Sequence, residues 1–447
     1  MTDMGSSMPL WACIPFAGML LCIAIFPLVK AEWWEKNKPW VVLFWSAVFI
    51  IPFAVKYGAG EAVESLSEVM IGDYLTFIVL LFGLFCVTGN ISLEGDLAGS
   101  PKTNVWMLFL GTMMSSWIGT TGASMLMIRP VIRANKWRAR KTQIIVFFIF
   151  LVSNIGGCLT PVGDPPLLMG FTNGIGFFWS LKLIPLLIIN TLILLIAFYI
   201  IDRHAYRMDL ADGLYPEIKN TQKPVRLAGA HNILFLAAIV GAVILSGILP
   251  KVNNIFSKGP SILGTTLSIA SIIEIVLILM AAFLSFRTTD GHIRRRNHFT
   301  WDAIKEVAIL FIGIFITMIP ALMILKSRGA DLGLTKPWQY FWITGALSSF
   351  LDNTPTYLVF FITAASMGYS SGVSTLTGMI PTVTLMAISC GAVFMGANTY
   401  IGNAPNFMVR SIAEENGIKM PSFFGYMLWS FGCLIPVFMV DMLIFFI

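Results

Sequence analysis

Long, predominantly apolar runs constrain this sequence more than any other feature. Residues 179–201 and 261–286 are each long enough to cross a lipid bilayer as a helix, which takes about 20 apolar residues. Of the 447 residues, 57% are hydrophobic and 12% are charged, whereas a soluble domain has about 25% charged residues. The sequence therefore predicts an all-α integral membrane protein and excludes a soluble or disordered chain.

The apolar segments divide into about ten membrane spans and two further segments that are predicted to enter the membrane without crossing it. The predicted spans are residues 8–29, 39–57, 73–91, 142–178, 180–202, 230–249, 261–286, 306–325, 380–409 and 420–447. Segments 104–132 and 338–366 are each interrupted in the middle by polar, helix-breaking residues. Such interruptions are tolerated only where protein or a water-filled cavity satisfies the backbone, so both segments are predicted to be re-entrant hairpins.

The distribution of basic residues predicts the orientation in the membrane. If the N-terminus lies outside and each hairpin returns to the side that it enters, 22 of the 29 Lys and Arg residues lie on the cytoplasmic side and 7 outside. An excess of Lys and Arg is typical of cytoplasmic loops. The count therefore predicts a multi-pass protein of the cytoplasmic (inner) membrane with both termini outside. The net charge of +6 is explained by topology and does not indicate nucleic-acid binding.

The two halves of the chain follow the same order of segments. Residues 157–169 and 396–408 share five identical positions of thirteen at a shift of 239 residues. At a shift of 233, Ser115, Ser116 and Thr121 align with Ser348, Ser349 and Thr354. Because the first half begins outside and the second inside, the sequence predicts an inverted repeat, a common plan of secondary transporters. We expect a first repeat at 1–202 (hairpin 104–132, broken span 142–178), a cytoplasmic linker at 203–229, and a second repeat at 230–447 (hairpin 338–366, broken span 380–409).

Two carboxylates, Asp164 and Asp352, fall on interruptions within the membrane. An ionised carboxylate there costs about 2.5 to 3.5 kcal/mol on insertion scales, so it generally marks an ion path. Hard cations prefer oxygen ligands, and loss of hydration favours the protonated acid, so each carboxylate is a candidate for Na⁺ and H⁺ in competition. We predict one Na⁺ site at Asp164 and Asn154 and another at Asp352, Asn353 and Asn398. Further candidate ligands are Thr120, Thr121, Ser349, Thr354, Thr399 and Asn403. The alternative is that the two carboxylates only cap half-helices.

Three other charged residues have weaker functional interpretations. Glu274 lies in the middle of an apolar span; it is a candidate proton carrier, although a structural hydrogen bond is the favoured interpretation. Arg129 follows the first hairpin and either extends to the cytoplasmic surface or contacts substrate. Asp441 lies near the end of the last span and is expected to be solvated.

The sequence does not indicate an enzyme. It contains no zinc-protease, Walker A or G-x-S-x-G motif. An intramembrane aspartyl protease carries G-x-G-D, whereas this chain has Pro161-Val162-Gly163-Asp164. The six cysteines lie in apolar segments without paired spacing, so neither disulfides nor a zinc site is indicated.

Residues 153–166 resemble the broken-helix motif of the ion transporter superfamily, which includes NhaD-type Na⁺/H⁺ antiporters, arsenite permeases, citrate-Mg transporters and divalent anion/Na⁺ symporters. Asn154 and Asp164 match the Asn and Asp of the NhaD-type motif, and Asp352 and Asn353 match its second-hairpin pair. The resemblance implies a homodimer with a mobile transport domain. The first hairpin departs from the NhaD type, since it has Gly-Thr-Thr-Gly at 119–122 in place of Asp-Asn, and residues 402–406 look more like the anion-transporting branches.

The leading expectation is therefore a Na⁺/H⁺ antiporter that exchanges cytoplasmic Na⁺ for external H⁺ at the embedded Asp residues. No cofactor is expected beyond these transported ions. The main alternative is a Na⁺- or H⁺-coupled carrier of an anion such as citrate, a dicarboxylate or arsenite. A membrane protein without transport activity, such as a receptor or assembly factor, is a third interpretation.

Overall fold

A computed structural model of the chain describes residues 2–95, 98–216, 226–297 and 299–447. Its first part contains ten helices and two short strands: α1 (Thr2–Ser7), α2 (Ile14–Val29), α3 (Ala31–Tyr57), α4 (Ala59–Ser67), α5 (Leu75–Gly89), β1 (Ser92–Glu94), α6 (Pro101–Ile118), α7 (Thr120–Ala134), α8 (Thr142–Leu151), α9 (Pro165–Thr172), α10 (Ile184–Ala211) and β2 (Arg226–Ala228). Short 3-10 segments lie at Leu10–Cys13, Ile155–Leu159 and Phe177–Leu183, and a π segment at Glu68–Tyr74.

The second part of the chain contains nine helices and four short strands. They are α11 (Asn232–Val252), β3 (Ser261–Ile262), β4 (Thr265–Thr266), α12 (Ile269–Thr288), α13 (Gly291–Arg296), α14 (Asp302–Arg328), α15 (Pro337–Ser348), α16 (Asn353–Ala365), β5 (Val373–Ser374), β6 (Met379–Ile380), α17 (Thr382–Met395), α18 (Ala404–Glu415) and α19 (Phe423–Asp441). Further 3-10 segments lie at Asn254–Ser257, Gly329–Leu332 and Gly396–Asn398, and a π segment at Met442–Phe446. Strands β1 and β2, β3 and β4, and β5 and β6 pair antiparallel.

The predicted all-α integral membrane fold is confirmed. Within the described residues, nine helical segments are apolar and long enough to cross a membrane, and Thr382–Asn398 is a shorter apolar helix. The span predicted at 261–286 is wrong at its start, because residues 261–266 form the β3–β4 hairpin and α12 begins only at Ile269. Its turn contains Gly264 at φ 91°, a conformation that glycine adopts readily and that a helix excludes.

Both predicted hairpins and both predicted broken spans are helices interrupted near their middle. The first hairpin is α6 and α7, separated at Gly119, and the second is α15 and α16, separated by residues 349–352. The broken spans are α8 with α9 and α17 with α18, each joined by a 3-10 turn and extended residues. The two halves thus share one order of elements, while their inverted orientation stays a prediction.

The broken spans lie at the centre of the molecule. In the segment Thr142–Leu159, which contains α8, 89% of the residues are buried inside the protein. Only 22% are buried in the most apolar stretch of α3 and in that of α11. The peripheral helices therefore present apolar side chains outward, as lipid contact requires. The interrupted helices are enclosed by protein, which is where irregular backbone at membrane depth is tolerated.

Each broken span folds back closely on itself. A Cβ atom at Gly163 would lie 2.3 Å from the carbonyl oxygen of Gly157, and one at Gly402 would lie 2.5 Å from that of Gly396. Any side chain at Gly163 or Gly402 would displace backbone. Glycine at these two aligned positions allows the backbone approach that shapes the turn.

Helix α10 continues to Ala211, past the boundary expected at residue 202, so the first nine residues of the proposed linker are helical. The extension is held by buried ion pairs, in which Asp202 and Asp209 on α10 bind Arg138 in the loop between α7 and α8. Residues 217–225 of the linker lie outside the described residues.

Candidate ion and substrate site

Four helix N-termini meet at one point in the protein interior. Thr120 is the first residue of α7 and Asn353 the first of α16, whereas Asp164 and Asn403 immediately precede α9 and α18. These residues come from the two hairpins and the two broken spans. Hydrogen bonds join the other three to the Asp164 carboxylate.

The Asp164 carboxylate is surrounded by neutral donors. Its Oδ1 accepts a hydrogen bond from Thr120 Oγ1 at 2.9 Å and a longer one from Asn403 Nδ2 at 3.4 Å. Its Oδ2 accepts from Asn353 Nδ2 at 2.7 Å. Only 1% of the residue is exposed, and its side chain makes no capping bond to α9. Asp164 therefore faces the other three helices and is more than a helix cap.

A network of amides connects the two broken spans beside this carboxylate. Asn154 Nδ2 donates to Asn406 Oδ1 at 2.7 Å, and Asn403 Nδ2 donates to Asn154 Oδ1 at 3.2 Å. Asn406 in turn donates to the carbonyl oxygens of Gly396 and Thr399. All of these side chains are buried, so the site is closed to solvent in this conformation.

Matching hydrogen bonds fix each hairpin to its broken span. Thr160 Oγ1 donates to the carbonyl of Ser116, and Thr399 Oγ1 donates to the carbonyl of Ser349. Ser116 Oγ donates to the carbonyl of Gly156, while Ser349 Oγ donates to that of Met395 at 3.1 Å. The paired residues correspond at the shifts of 233 and 239 found in the sequence, so the repeat extends to individual contacts.

The three residues of the second predicted Na⁺ site, Asp352, Asn353 and Asn398, each bind a different partner. Asp352 is half-buried, and its Oδ1 caps α16 by accepting from the Thr354 amide at 3.0 Å. Asn353 points to Asp164, whereas Asn398 Nδ2 donates to Ser349 Oγ at 2.9 Å. Among the described residues, no donor reaches the buried Asn398 Oδ1.

Three sequence-predicted residues lie apart from the carboxylate. Thr121 has no side-chain hydrogen bond within the described part of the chain, although its neighbour Thr120 binds Asp164. Glu274 is buried on α12, where no described residue hydrogen-bonds to its Oε1 and Ser246 of α11 is its polar neighbour. Arg129 lies on α7, with the carboxylate of Glu415 as an electrostatic neighbour.

Asn406 and Thr160 were not among the predicted site residues. The sequence carried a signal for Thr160, since it is identical to Thr399 in the aligned repeat. Asn406 aligns with Leu167, so the repeat gave no indication of its role. A polar residue in the first turn of a helix that follows a break was the only available cue.

The electrostatics of the site combine one negative charge with several positive helix ends. A helix N-terminus acts as about half a positive charge and favours anions. No Lys, Arg or His forms an ion pair with Asp164 or Asp352 in the ranges that the structure describes. The arrangement can therefore hold a cation at the carboxylate and an anion against the helix ends.

Comparison with known proteins assigns the chain to a transporter family. No curated protein matches the sequence. A family model described as "Putative citrate transport" matches residues 5–446, which includes all four site-forming helices and the peripheral spans. Together with the central, enclosed broken spans, this match places the protein among membrane transporters, and the chain belongs to this citrate transport family.

Proposed function

We propose that this protein is a secondary transporter that carries citrate or a similar small carboxylate across the membrane, coupled to H⁺ or Na⁺. The observation that carries the proposal is the convergence of the N-termini of α7, α9, α16 and α18 around the single buried carboxylate of Asp164. The family match supports a carboxylate as the substrate class. This reverses the order of the two expectations from sequence, in which Na⁺/H⁺ antiport came first.

The geometry supports a coupling mechanism in which the cation and the anion bind together. While Asp164 is ionised, its charge opposes the approach of a carboxylate to the helix N-termini. A proton or Na⁺ on Asp164 removes that repulsion and leaves the positive helix ends to bind the anion. Binding of the cation therefore raises the affinity for the anion, and by linkage the anion raises the affinity for the cation to the same extent.

Uptake of radiolabelled citrate by proteoliposomes tests this proposal. An imposed inward H⁺ or Na⁺ gradient is expected to accelerate uptake by the wild-type protein. Asp164→Asn is expected to abolish the dependence on the cation gradient, because the neutral amide has no charge for the cation to remove. Asp331→Asn, which changes an exposed Asp in the 3-10 segment Gly329–Leu332, is the matched control and should behave as the wild type.

Na⁺/H⁺ antiport remains the second candidate, because the donors to Asp164 within the described residues, Thr120, Asn353 and Asn403, are neutral groups that a small cation could replace. Under this alternative, neither citrate nor any dicarboxylate enters proteoliposomes under either gradient. Everted vesicles instead show Na⁺-dependent collapse of a pH gradient. That combination of results would replace the carboxylate proposal.

A further inference from the structure

A second buried carboxylate lies between the last spans of the two halves. Asp441 on α19 and Asn190 on α10 are both completely buried. Asn190 Nδ2 donates to both Asp441 oxygens, at 2.9 Å and 2.8 Å. The expectation that Asp441 is solvated near a span end is therefore wrong, because α10 covers it.

The hydrogen bonding of this pair is incomplete in one respect. Asn190 Oδ1 is buried, and no donor reaches it among the described residues. A protonated Asp441 has one O–H donor, whereas the ionised form can only accept. Asn190 Nδ2 also donates to the carbonyl of Leu186 at 2.8 Å, which leaves its other N–H for the acid. Since Oδ1 and Nδ2 belong to the same amide, a rotation of the side chain would pair the acid with the amide by two hydrogen bonds, O–H to Oδ1 and Nδ2–H to the other carboxyl oxygen. Protonation therefore supplies the donor that Asn190 lacks.

No fixed positive charge neutralises Asp441. It forms no ion pair with Lys, Arg or His in the described residues. Its titratable neighbours are the thiols of Cys158, in the 3-10 turn of the first broken span, and Cys390 on α17. Helix α8 and the segment Met442–Phe446 contribute no ionisable side chain. An isolated charge at this depth is costly, so binding of a proton is the simplest way to remove it.

The position of the pair connects it to both broken spans. Cys158, in the 3-10 turn of the first broken span, is an electrostatic neighbour of Asp164 as well as of Asp441, and Cys390, on α17 of the second broken span, is also an electrostatic neighbour of Asp441. A change of charge at Asp441 therefore acts on side chains of both broken spans. Glu274, another buried carboxyl, lies on α12, which belongs to neither broken span.

We propose that the Asp441–Asn190 pair is a second proton-binding site, and that an H⁺ gradient drives transport only while both this pair and Asp164 can take up a proton. This inference rests on the proposed transport of a carboxylate, but proton binding itself can be measured separately. The ionised pair has the geometry seen here, with Nδ2 shared between both carboxyl oxygens. The protonated pair is the neutral acid–amide ring. Release of the proton to either side of the membrane returns the charge to Asp441.

Infrared difference spectroscopy tests proton binding without transport. The purified protein in liposomes is titrated with pH while the C=O stretching band of buried carboxylic acids is recorded. One component of this band that disappears on raising the pH is expected in the wild type and should be missing from Asp441→Asn, while the components from other buried acids such as Asp164 remain. Glu274→Gln, the same change at another buried carboxyl, is the matched control and should retain the component that Asp441→Asn lacks.

Citrate uptake tests coupling. The ratio of uptake with an inward H⁺ gradient to uptake without one is expected to exceed unity in the wild type and in Glu274→Gln. It should fall to unity in Asp441→Asn, whose side chain cannot take up a proton. The proposal is overturned if a folded Asp441→Asn protein keeps an uptake ratio above unity, whatever the ratio in Glu274→Gln.

A second variant keeps the proposal testable if Asp441→Asn fails to fold. Asn190→Leu removes the amide and leaves Asp441 without a donor for its ionised form. The acid is then expected to stay protonated over the whole pH range, so the infrared band persists and the uptake ratio is unity. A band that titrates as in the wild type would contradict the proposed role of Asn190. If the wild type takes up no citrate at all, the proposed function fails, and the infrared titration alone decides whether Asp441 binds a proton.

Discussion

Asp164 is a buried acid held in place by neutral hydrogen-bond donors, with no ion pair to a basic residue in the part of the chain that the structure describes. Hydrogen bonds to an ionised group contribute about 1.5 to 3 kcal/mol each, and Asp164 accepts close ones from Thr120 and Asn353. Both donors are neutral, so under the proposed function the carboxylate stays available to a cation. A Lys or Arg in their place would fill the site permanently.

The hydroxyl of Thr120 can be removed with little change of shape. We expect Thr120→Val to slow gradient-driven citrate uptake about tenfold, because a lost hydrogen bond of about 1.4 kcal/mol corresponds to a tenfold change in an equilibrium constant. The measurement is the initial uptake rate in proteoliposomes at fixed protein content.

Thr121→Val is the matched control for Thr120→Val, since Thr121 is adjacent and makes no hydrogen bond to Asp164 in the described residues. It should leave the rate within about twofold of the wild type, the effect of less than about 0.5 kcal/mol expected away from such contacts. Equal slowing by both substitutions would show that the hydroxyl bond to Asp164 has no specific role.

Residue identities at the site could be predicted only where a local signal existed. Asp164, Asn154, Asn353 and Asn403 stand next to helix breaks, and the structure places all four in one hydrogen-bonded cluster; ion binding there stays a prediction. Asp441 lies in an unbroken apolar helix. Asp441 is buried because α10 packs over it, and its hydrogen-bond partner on α10, Asn190, is 251 positions away in the sequence. A local sequence pattern cannot predict a contact between residues so far apart.

Among the elements, interruptions were predictable and exact ends were not. Glycine, proline and short polar residues interrupt hairpins and broken spans at positions visible in the sequence. The end of α10 was misplaced by nine residues because polar residues after 202 suggested a linker. Asp202 and Asp209 are charged residues that are buried in the fold, since Arg138 pairs with both and Arg140 also pairs with Asp209.

Arg138 links three elements of the first half through its side chain, which is completely buried. It binds Asp202 and Asp209 of α10, while Asp202 also accepts hydrogen bonds from Asn104 of α6 and Gln143 of α8. Breaking a buried ion pair by removing one partner leaves an uncompensated charge, at a cost of about 3 to 5 kcal/mol. We expect Arg138→Met to lower the free energy of unfolding by about that amount, measured by equilibrium denaturation in mixed micelles.

The comparison for Arg138 is Arg296→Met. Arg296 pairs with Glu94 at 2.7 Å, but both side chains are partly exposed, and an exposed pair contributes only about 0 to 1 kcal/mol. If Arg138→Met were no more destabilising than Arg296→Met, the buried network would not stabilise the junction of the hairpin, the broken span and α10.

At the scale of the whole molecule, the basic residues make a prediction about orientation. In a variant without its six native cysteines, a single cysteine is introduced at an exposed position, either Ser257→Cys between α11 and β3 or Tyr215→Cys after α10. A membrane-impermeant maleimide added to intact cells should label Ser257→Cys at once, because that loop is predicted to lie outside. Tyr215→Cys should react only after the membrane is permeabilised.

The reverse pattern of labelling would place both termini in the cytoplasm. It would also exchange the sides from which the two hairpins open, although the contacts around Asp164 would be unchanged. Labelling of both cysteines from the same side would contradict the odd number of membrane crossings predicted between residues 215 and 257.

The amide network between the halves can be completed only late in synthesis, because it joins residues of the first half to residues near the end of the second. When the ribosome has completed α9, Asp164 has only Thr120 among its three donors, because Asn353 and Asn403 have not yet been made. Asn154 likewise waits for Asn406. The first half must therefore hold an incompletely bonded carboxylate in the membrane through the insertion of some 240 further residues. A premature stop before residue 403 would leave the proposed site without Asn403 and Asn406, and Asp164 without one of its three donors.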